Sequence, residues 1–440
     1  MPLLHDLATG AYVLGIRIAA LWSPKARAWV TGRQGLWERL ERVRNGLQDC
    51  IWVHSASVGE FEQVLPVLER LTEAWPGRPV LLTFFSPSGH HARHDHPLAT
   101  HVEYLPADTA ANARRFVELV RPGLVLWAKY DFWHHHLSRL HQTRVPLFLI
   151  SASFRKDQPF FRWFGASWRR MLGFFTHLFV QNERSQELLE GIGIRNVTVS
   201  GDTRFDRVTA IVAEGRALPI ARAFRKASEL PVVVAGSTWS ADEALLAKAA
   251  QGRAVRLVAV PHEPAPEALE RIEQAFPAPV VRWSFAEERM DTPPPAHMPP
   301  DQDPLHARTL LVDRMGLLAN LYREGDLAYV GGGFTDGIHS ILEAAAWGRP
   351  VIFGPRHRKF PEAAGLIAAG GGFEVRDAPT LAACLDRLLS DPLALQTASQ
   401  AAARFIQDHT GATNTVVEEL LRHLPVQGLQ EGHLPGSAAT

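Results

Sequence analysis

A glutamate three residues after a serine, where an apolar strand runs into a helix, is the first place in this chain suited to chemistry. The stretch reads Trp52-Val-His-Ser-Ala-Ser-Val-Gly-Glu60. Two readings of it stand. Ser57 and Glu60 have the spacing of a capping box, in which Ser57 caps the helix and Glu60 reaches back to its amide. Alternatively Glu60 is a general base, with Ser57 and Gly59 lining a substrate site, because a hydroxyl attacks poorly unless a positioned group takes its proton. A helix N-terminus favours the carboxylate form and weakens such a base, so partial burial would have to oppose that effect.

Further turns share the pattern of an apolar run ending in small or charged residues. Leu81-Leu-Thr-Phe-Phe-Ser-Pro-Ser-Gly89 places Ser86, Ser88 and Gly89 at a strand end, to line a polyhydroxyl or anionic ligand or to make an ordinary strand-to-helix turn. In Leu126-Trp-Ala-Lys-Tyr-Asp-Phe-Trp133, Lys129 and Asp131 stand where another strand ends; Lys129 meets an acidic ligand or pairs with an acid at the sheet edge. The second half holds the strongest constellation. Ser237 and Thr238 close its first strand, Pro261, His262 and Glu263 its second, and Met315 and Gly316 belong to a segment expected to open a helix. Then comes Ala328-Tyr-Val-Gly-Gly-Gly-Phe-Thr-Asp-Gly-Ile-His-Ser-Ile-Leu-Glu343. A buried strand enters the turn of Gly331, Gly332 and Gly333, and a helix is expected to start near His339, with Glu343 one turn in. Glycines let backbone approach a ligand, and free amides at a helix start bind phosphate. With Pro350-Val-Ile-Phe-Gly-Pro355 following, this reads as a nucleotide-sugar site, in which Glu343 accepts hydroxyls. The spacing is wrong for a dinucleotide fingerprint.

The elements that must hold these residues alternate. Strand-length apolar runs fall at residues 50–54, 79–84, 101–105, 123–127, 145–150, 177–181 and 197–200, with helix-period stretches at 61–75, 109–120 and 183–189. The pattern restarts at 231–235 and continues at 255–260, 280–283, 309–312, 327–331 and 350–354. Such alternation means parallel sheets covered by helices, an α/β chain of two Rossmann-like doubly wound halves. Ligands bind beyond the carboxyl ends of such strands, so the expected site is the cleft between the halves. The expected division is a membrane-associating segment 1–35, a first domain 36–210, a second domain 211–424 and a disordered tail 425–440. Residues 289–306, rich in proline, read as a surface loop.

Lys plus Arg and Asp plus Glu both number 46, a balance that argues against nucleic acid as the main partner. Two cysteines, Cys50 and Cys384, make no disulfide framework. Of the histidines, 134, 135 and 136 are consecutive and point in different directions; His90 and His94 share a helix face but lack a carboxylate pattern, so no metal is expected. The stretch 11–22 is apolar but short and holds Arg17, and Lys25, Arg27, Trp29, Arg33 and Trp37 follow. That composition suits an anchor on an anionic membrane surface; an amphipathic helix packed on the protein is the alternative.

From about Leu36 to Leu421 the sequence resembles the Kdo (3-deoxy-D-manno-octulosonic acid) transferases of lipopolysaccharide assembly. The motifs that carry this are the stretch ending in Glu60, Phe85-Ser-Pro-Ser-Gly89, Tyr104-Leu-Pro-Ala-Asp108, Lys129-Tyr-Asp-Phe-Trp133, Gly201-Asp-Thr-Arg-Phe-Asp206, Gly236-Ser-Thr238, Pro261-His-Glu263, Met315-Gly316 and the run from Gly331 to Glu343. The resemblance implies a GT-B fold, CMP-Kdo as donor and the lipid A precursor (lipid IVA) as acceptor. It implies transfer with inversion at the cytoplasmic face of the inner membrane, with no metal or other cofactor. It makes Glu60 the general base and puts Met315, Gly316 and Glu343 around the CMP moiety. Many members have Pro-Arg-His at 261–263, a Glu-x-Glu pair at 129–131 and Asn at Ser340. This chain resembles a divergent branch in which a phosphate-binding arginine is absent at 262, and Arg356, Arg358, Lys359 or Arg204 is the expected replacement. A UDP-sugar GT-B transferase, a GT-B-type epimerase and a non-catalytic membrane-associated binding protein are the alternatives.

Overall fold

The computed structural model describes residues 2–129, 131–290 and 304–424. Most of the proline-rich stretch read as a loop, and the tail read as disordered, lie outside the described residues.

The chain forms two compact units, one comprising residues up to Arg207 together with those from Thr410 on, the other Val208–His409. The first holds seven strands: β1 (Ile51–Ser55), β2 (Val80–Phe84), β3 (His101–Tyr104), β4 (Leu124–Ala128), β5 (Leu147–Ala152), β6 (His177–Val180) and β7 (Val197–Val199). All pair in parallel, in the order β3-β2-β1-β4-β5-β6-β7. Successive side chains of a strand leave on opposite faces, and the residues obey this. Trp52, Leu81, Val125, Trp127, Leu147 and Leu149 enter one core. Ile51, Val53, Leu82, Leu124, Leu126, Phe148 and Ile150 enter the other. Each fully buried side chain of this kind contributes about 1.5–3 kcal/mol. That is why the strands read as unbroken apolar runs and why helices cover both faces.

The second unit repeats the scheme with β8 (Val232–Thr238), β9 (Arg256–Pro261), β10 (Val280–Arg282), β11 (Thr309–Leu311), β12 (Leu327–Val330), β13 (Val351–Phe353) and β14 (Gly372–Glu374), in the order β10-β11-β9-β8-β12-β13-β14. Thirteen of these fourteen strands coincide with expected runs, their ends within about two residues except that of β8, which continues three residues past its expected end at 235. The strand not foreseen, β14, has three residues and begins inside a run of three glycines, so it carries no apolar signal.

The domain boundary differs from the sequence reading at one end. Residues 410–424, expected in the second domain, belong to the first unit. Val416, Val417 and Leu420 of the helix Ala412–Arg422 complete the core made by Ile51, Val53 and Phe148. The Asp206 carboxylate accepts hydrogen bonds from the Gly411 (2.7 Å) and Thr413 (2.6 Å) amides and so caps that helix.

The N-terminal segment is helical over Pro2–Ala19 and Pro24–Gly32. Among the described residues no helix is long and apolar enough to cross a membrane. The first helix is tied to the first unit: His5 Nε2 lies 2.7 Å from Asp108, and Tyr12 stacks on Phe85. Burial and the surrounding hydrogen bonds act on Asp108 in opposite directions; the bonds from His136 and His5 win and hold its carboxyl well below the usual range.

Replacing Asp206 by Ala is expected to lower stability by about 1–2 kcal/mol and to speed hydrogen exchange through residues 412–422. Unchanged exchange there would show that the cap does not hold the helix.

Candidate functional site

In the first sheet the strand order reverses between β1 and β4, and this switch point is where an open α/β sheet leaves a crevice at its carboxyl edge. Glu60 follows β1; Lys129 and Asp131 follow β4. Glu60 is the third residue of the helix Val58–Ala74, and its Oε2 accepts the Ala56 N–H at 2.7 Å. The Ser57 side chain makes no cap hydrogen bond, and Glu60 reaches the amide just before the cap residue, so the capping box is not completed. Gly59 beside it is exposed. Burial raises the Glu60 carboxyl most, the Asp131 charge raises it further, and the Ala56 amide and Lys129 lower it; the result is about 7. Desolvation therefore outweighs the helix N-terminus, and the carboxylate is poised for proton transfer near neutral pH.

Beneath Asp131 lies a buried polar set that the sequence reading passed over. His54 sits inside β1 with its Nδ1 2.9 Å from Thr83 Oγ1 and its Nε2 3.7 Å from Asp131 Oδ2. The Thr83 hydroxyl also accepts from Trp52 Nε1 at 2.8 Å, and His54 packs on Trp127. Burial drives the His54 value down, against the pull of Asp131. A histidine in the middle of an otherwise apolar strand was the available signal.

The other expected residues of this unit divide. Ser86 Oγ accepts the Gly89 amide at 3.0 Å and caps the helix Pro87–Arg93, with Ser88 3.4 Å from Ser86. A side chain at Gly89 would collide with Phe84, so this glycine is required by packing. The turn therefore has the geometry of an ordinary helix cap. Arg204 lies with its guanidinium along Asp202, at 3.0 Å from Nε and 2.7 Å from Nη2, so its charge is balanced within the unit. His90, half of the i, i+4 histidine pair, stacks on Tyr104 with ring centres 4.1 Å apart.

In the second sheet the order reverses between β8 and β12. Ser237 and Thr238 end β8; Gly331, Gly332 and Gly333 follow β12. The buried Asp242 carboxylate joins the two, accepting from the Trp239 amide (3.0 Å), the Tyr329 hydroxyl (2.8 Å) and the Gly332 amide (2.9 Å). The turn packs backbone against backbone. A Cβ on Gly331 would lie 2.3 Å from the Ser237 carbonyl oxygen, and one on Gly333 would lie 2.6 Å from the backbone of Gly354.

Two expectations are corrected here. The helix after the turn spans Leu342–Ala346 and does not start near His339; Glu343 stands in its first turn. The segment between is held by its own bonds, with the Gly331 amide on Gly236 O and the His339 amide on Gly331 O. The amides of Gly331, Gly332 and His339 are therefore engaged inside the protein. Likewise Met315 and Gly316 precede a single-turn helix, Leu318–Leu321, and Met315 is exposed.

Three aromatic rings line this edge. The His262 ring stacks on both Trp239 (4.7 Å) and His339 (4.4 Å), which also meet each other, Trp239 Nε1 donating to His339 Nε2 at 3.0 Å. Pro261 is buried at the end of β9, whereas Glu263 and Ser340 are exposed. Burial raises the Tyr322 hydroxyl and the nearby Glu343 charge raises it further; that hydroxyl fills the space beside Gly236. After β13, Arg356 donates from its backbone to Gly333 O at 3.0 Å and from its side chain to Thr335 O. Arg358 and Lys359 are exposed beside it.

Comparison with known proteins agrees with the resemblance. Residues 34–207 match the family model described as 3-deoxy-D-manno-octulosonic-acid transferase (kdotransferase). A 3-deoxy-D-manno-octulosonic acid transferase of Bordetella pertussis is 28% identical over 94% of this chain and 99% of its own length. One from Aquifex aeolicus (strain VF5) is 28% identical over 79% and 89%. Among solved structures, a UDP-GlcNAc 2-epimerase from Neisseria meningitidis bound to UDP-GlcNAc aligns with a TM-score of 0.58 at 16% identity, covering 84% of this chain and 99% of that one. A glycosyltransferase from Rickettsia africae aligns with a TM-score of 0.54 at 14% identity, covering 86% and 99%. These structural likenesses establish the fold alone: two Rossmann-like units of the GT-B class.

Changing Asp242 to Asn puts an NH2 group against buried donors, and each donor left unsatisfied costs about 1–3 kcal/mol. A urea unfolding curve is expected to shift by at least that much; an unchanged midpoint would show that Asp242 does not hold the glycine turn.

Proposed function

The chain belongs to the 3-deoxy-D-manno-octulosonic acid (Kdo) transferase family, and from this premise we propose that it moves Kdo from CMP-Kdo to the lipid A precursor, lipid IVA, with inversion. The observation that carries the reading is Glu60: a carboxyl raised to about 7 at the switch point of the first sheet, beside a second carboxylate.

The reaction is a single displacement. A sugar hydroxyl of the acceptor attacks the anomeric carbon of Kdo as Glu60 takes its proton, and the bond to the CMP phosphate breaks on the opposite face. Asp131 keeps Glu60 basic enough to accept that proton, while Lys129 limits the effect. The leaving phosphate gains negative charge. The glycine-turn amides named above are occupied, so the positive charge that receives it is assigned to Arg358 and Lys359, next to the Gly333 turn. Glu343 and the ring stack of Trp239, His262 and His339 belong to the same donor region. The reaction assigns no step to a metal or other cofactor. Incubation with CMP-Kdo and lipid A precursor, read by mass spectrometry, is the direct test; unchanged acceptor mass with both substrates present would reject the reading.

The acceptor is a lipid, and the N-terminal helices offer a surface for its membrane. Leu7, Leu14, Ile18, Leu21 and Trp22 are exposed there, with Arg17, Lys25 and Arg27 among them. Apolar side chains with arginine and lysine bind an anionic leaflet from one side. In the proposed function the protein acts at the cytoplasmic face of the inner membrane. Truncating residues 1–30 would also remove Trp29, which packs under Arg33, so point changes are cleaner. Leu21→Ser with Trp22→Ser is expected to reduce flotation with anionic vesicles while leaving turnover on a soluble acceptor analogue near wild type. Equal flotation of the two proteins would reject this surface.

Glu60→Gln is expected to lower kcat by about 10²–10⁴-fold with CMP-Kdo affinity retained. The base works deprotonated, so kcat/KM of the wild type should fall below a pH of about 7. Asp131→Asn removes a like charge, lowers the Glu60 value and moves that limb to lower pH. Stability gives a second readout. A carboxyl raised above 4.5 to about 7 binds its proton more tightly when folded, so its stabilising contribution is complete below 4.5 and is lost as pH rises through 7. Glu60→Gln should therefore melt no lower than wild type above neutral pH. A loss of about 1 kcal/mol there, with turnover intact, is the outcome a purely structural cap requires.

A further inference from the structure

We propose that His177, Glu419 and His423 form a binding site for one divalent transition-metal ion of the zinc type, and that the ion fastens the C-terminal helix to the first sheet. The ligand atoms of the three side chains all lie within 4.8 Å of one another. Glu419 and His423 are four residues apart at the end of the helix Ala412–Arg422, and His423 keeps helical backbone angles, so the two side chains share a face. His177 is the first residue of β6. The site is thus at the amino edge of the sheet, opposite the carboxyl edge that carries Glu60, and no step of the transfer uses it.

His177 points to an ion more strongly than proximity does. Its ring is only 6% exposed. Its Nε2 lies 2.8 Å from Thr198 Oγ1, and in the tautomer in which that hydroxyl accepts the Nε2 hydrogen the lone pair is on Nδ1. That Nδ1 is buried and has no hydrogen-bond partner among the described residues. A histidine that donates one ring N–H to an outer oxygen and holds the other nitrogen bare is oriented as metal ligands are. The remaining contacts leave room for coordination. Glu419 Oε2 pairs with Arg422 at 2.7 Å, and Oε1 lies 3.1 Å from His423 Nε2, a hydrogen bond that binding of both atoms to one ion would replace. The rings of His177 and His423 are 4.9 Å apart. Two imidazoles and a carboxylate oxygen suit Zn2+, with an open fourth position for water. A helix C-terminus also favours positive charge.

The ion would bind only the folded arrangement, so it would stabilise the segment that leaves the first unit and returns to it. The experiment uses the full chain, stripped with a chelator, titrated with Zn2+ alone by calorimetry and with Co2+ alone by visible absorption. Wild type is expected to take one tight equivalent, with a Co2+ band of low coordination number, and to melt higher with Zn2+. The exposed-side variants His423→Ala and Glu419→Gln spare the buried ring and should fold; both should lose that equivalent. Thr198→Val should weaken it by about 10–100-fold. His90→Ala, elsewhere on the unit, should retain it. No tight equivalent in wild type, or the same equivalent in His423→Ala, overturns the site. Tight binding without a rise in melting temperature overturns the fastening role.

Discussion

A parallel sheet buried on both faces leaves little choice about where a protein can act. Every backbone polar group inside each sheet is spent on the ladder, and alternate side chains are spent on two cores. Trp52 and Trp127 fill one side of the first sheet while Val53 and Leu126 fill the other. Only the strand ends remain, and they are open where neighbouring crossovers run to opposite faces. Both units of this chain meet that constraint in the same way. Glu60, Lys129 and Asp131 gather where β1 meets β4; Ser237, Thr238 and the triple glycine gather where β8 meets β12.

At the first of these ends, a structural contact and a chemical one use the same atoms. Glu60 accepts the Ala56 amide as a helix-capping residue does. Had it been solvated, the helix N-terminus would hold it as a weak base. Burial beside Asp131 reverses that balance, and the hydrogen bond then fixes the direction of a carboxyl whose proton affinity is set elsewhere. His54, anchored on Thr83, lies beneath Asp131 with its Nε2 3.7 Å from that carboxylate. The capping and catalytic readings of Glu60 are therefore compatible: capping orients the group and desolvation tunes it.

At the second end the glycine turn has a different task from the one its composition suggests. Its amides serve Asp242 and neighbouring carbonyls, and its missing side chains make room for the backbone after β8 and β13. The turn lets three strand ends close up, and in the proposed function it thereby shapes the donor region. In the proposed function direct charge is supplied by the exposed Arg358 and Lys359 beside it, and apolar contact by the stacked rings of Trp239, His262 and His339.

The sequence by itself determined the strands, their alternation with helices and their repetition in two halves, because double-sided burial writes itself as unbroken apolar runs such as those of β1, β4 and β8. It also determined which strand ends carry polar residues, since Glu60, Asp131 and Thr238 interrupt such runs in plain view. Tertiary structure alone decided the rest. Only the fold could return residues 412–422 to the first unit, because the apolar face of that helix is the same whichever core receives it. Only the fold could set the Glu60 carboxyl near 7, since its burial and its neighbour Asp131 arrive from different strands. The same holds for the amides of the glycine turn, whose partner Asp242 lies far away in sequence, and for His177, which meets Glu419 and His423 only after the chain has passed through the second unit and come back. Local patterns fix local conformation; proton affinity and the partners of buried polar groups depend on distant residues brought close, and no local spacing records them.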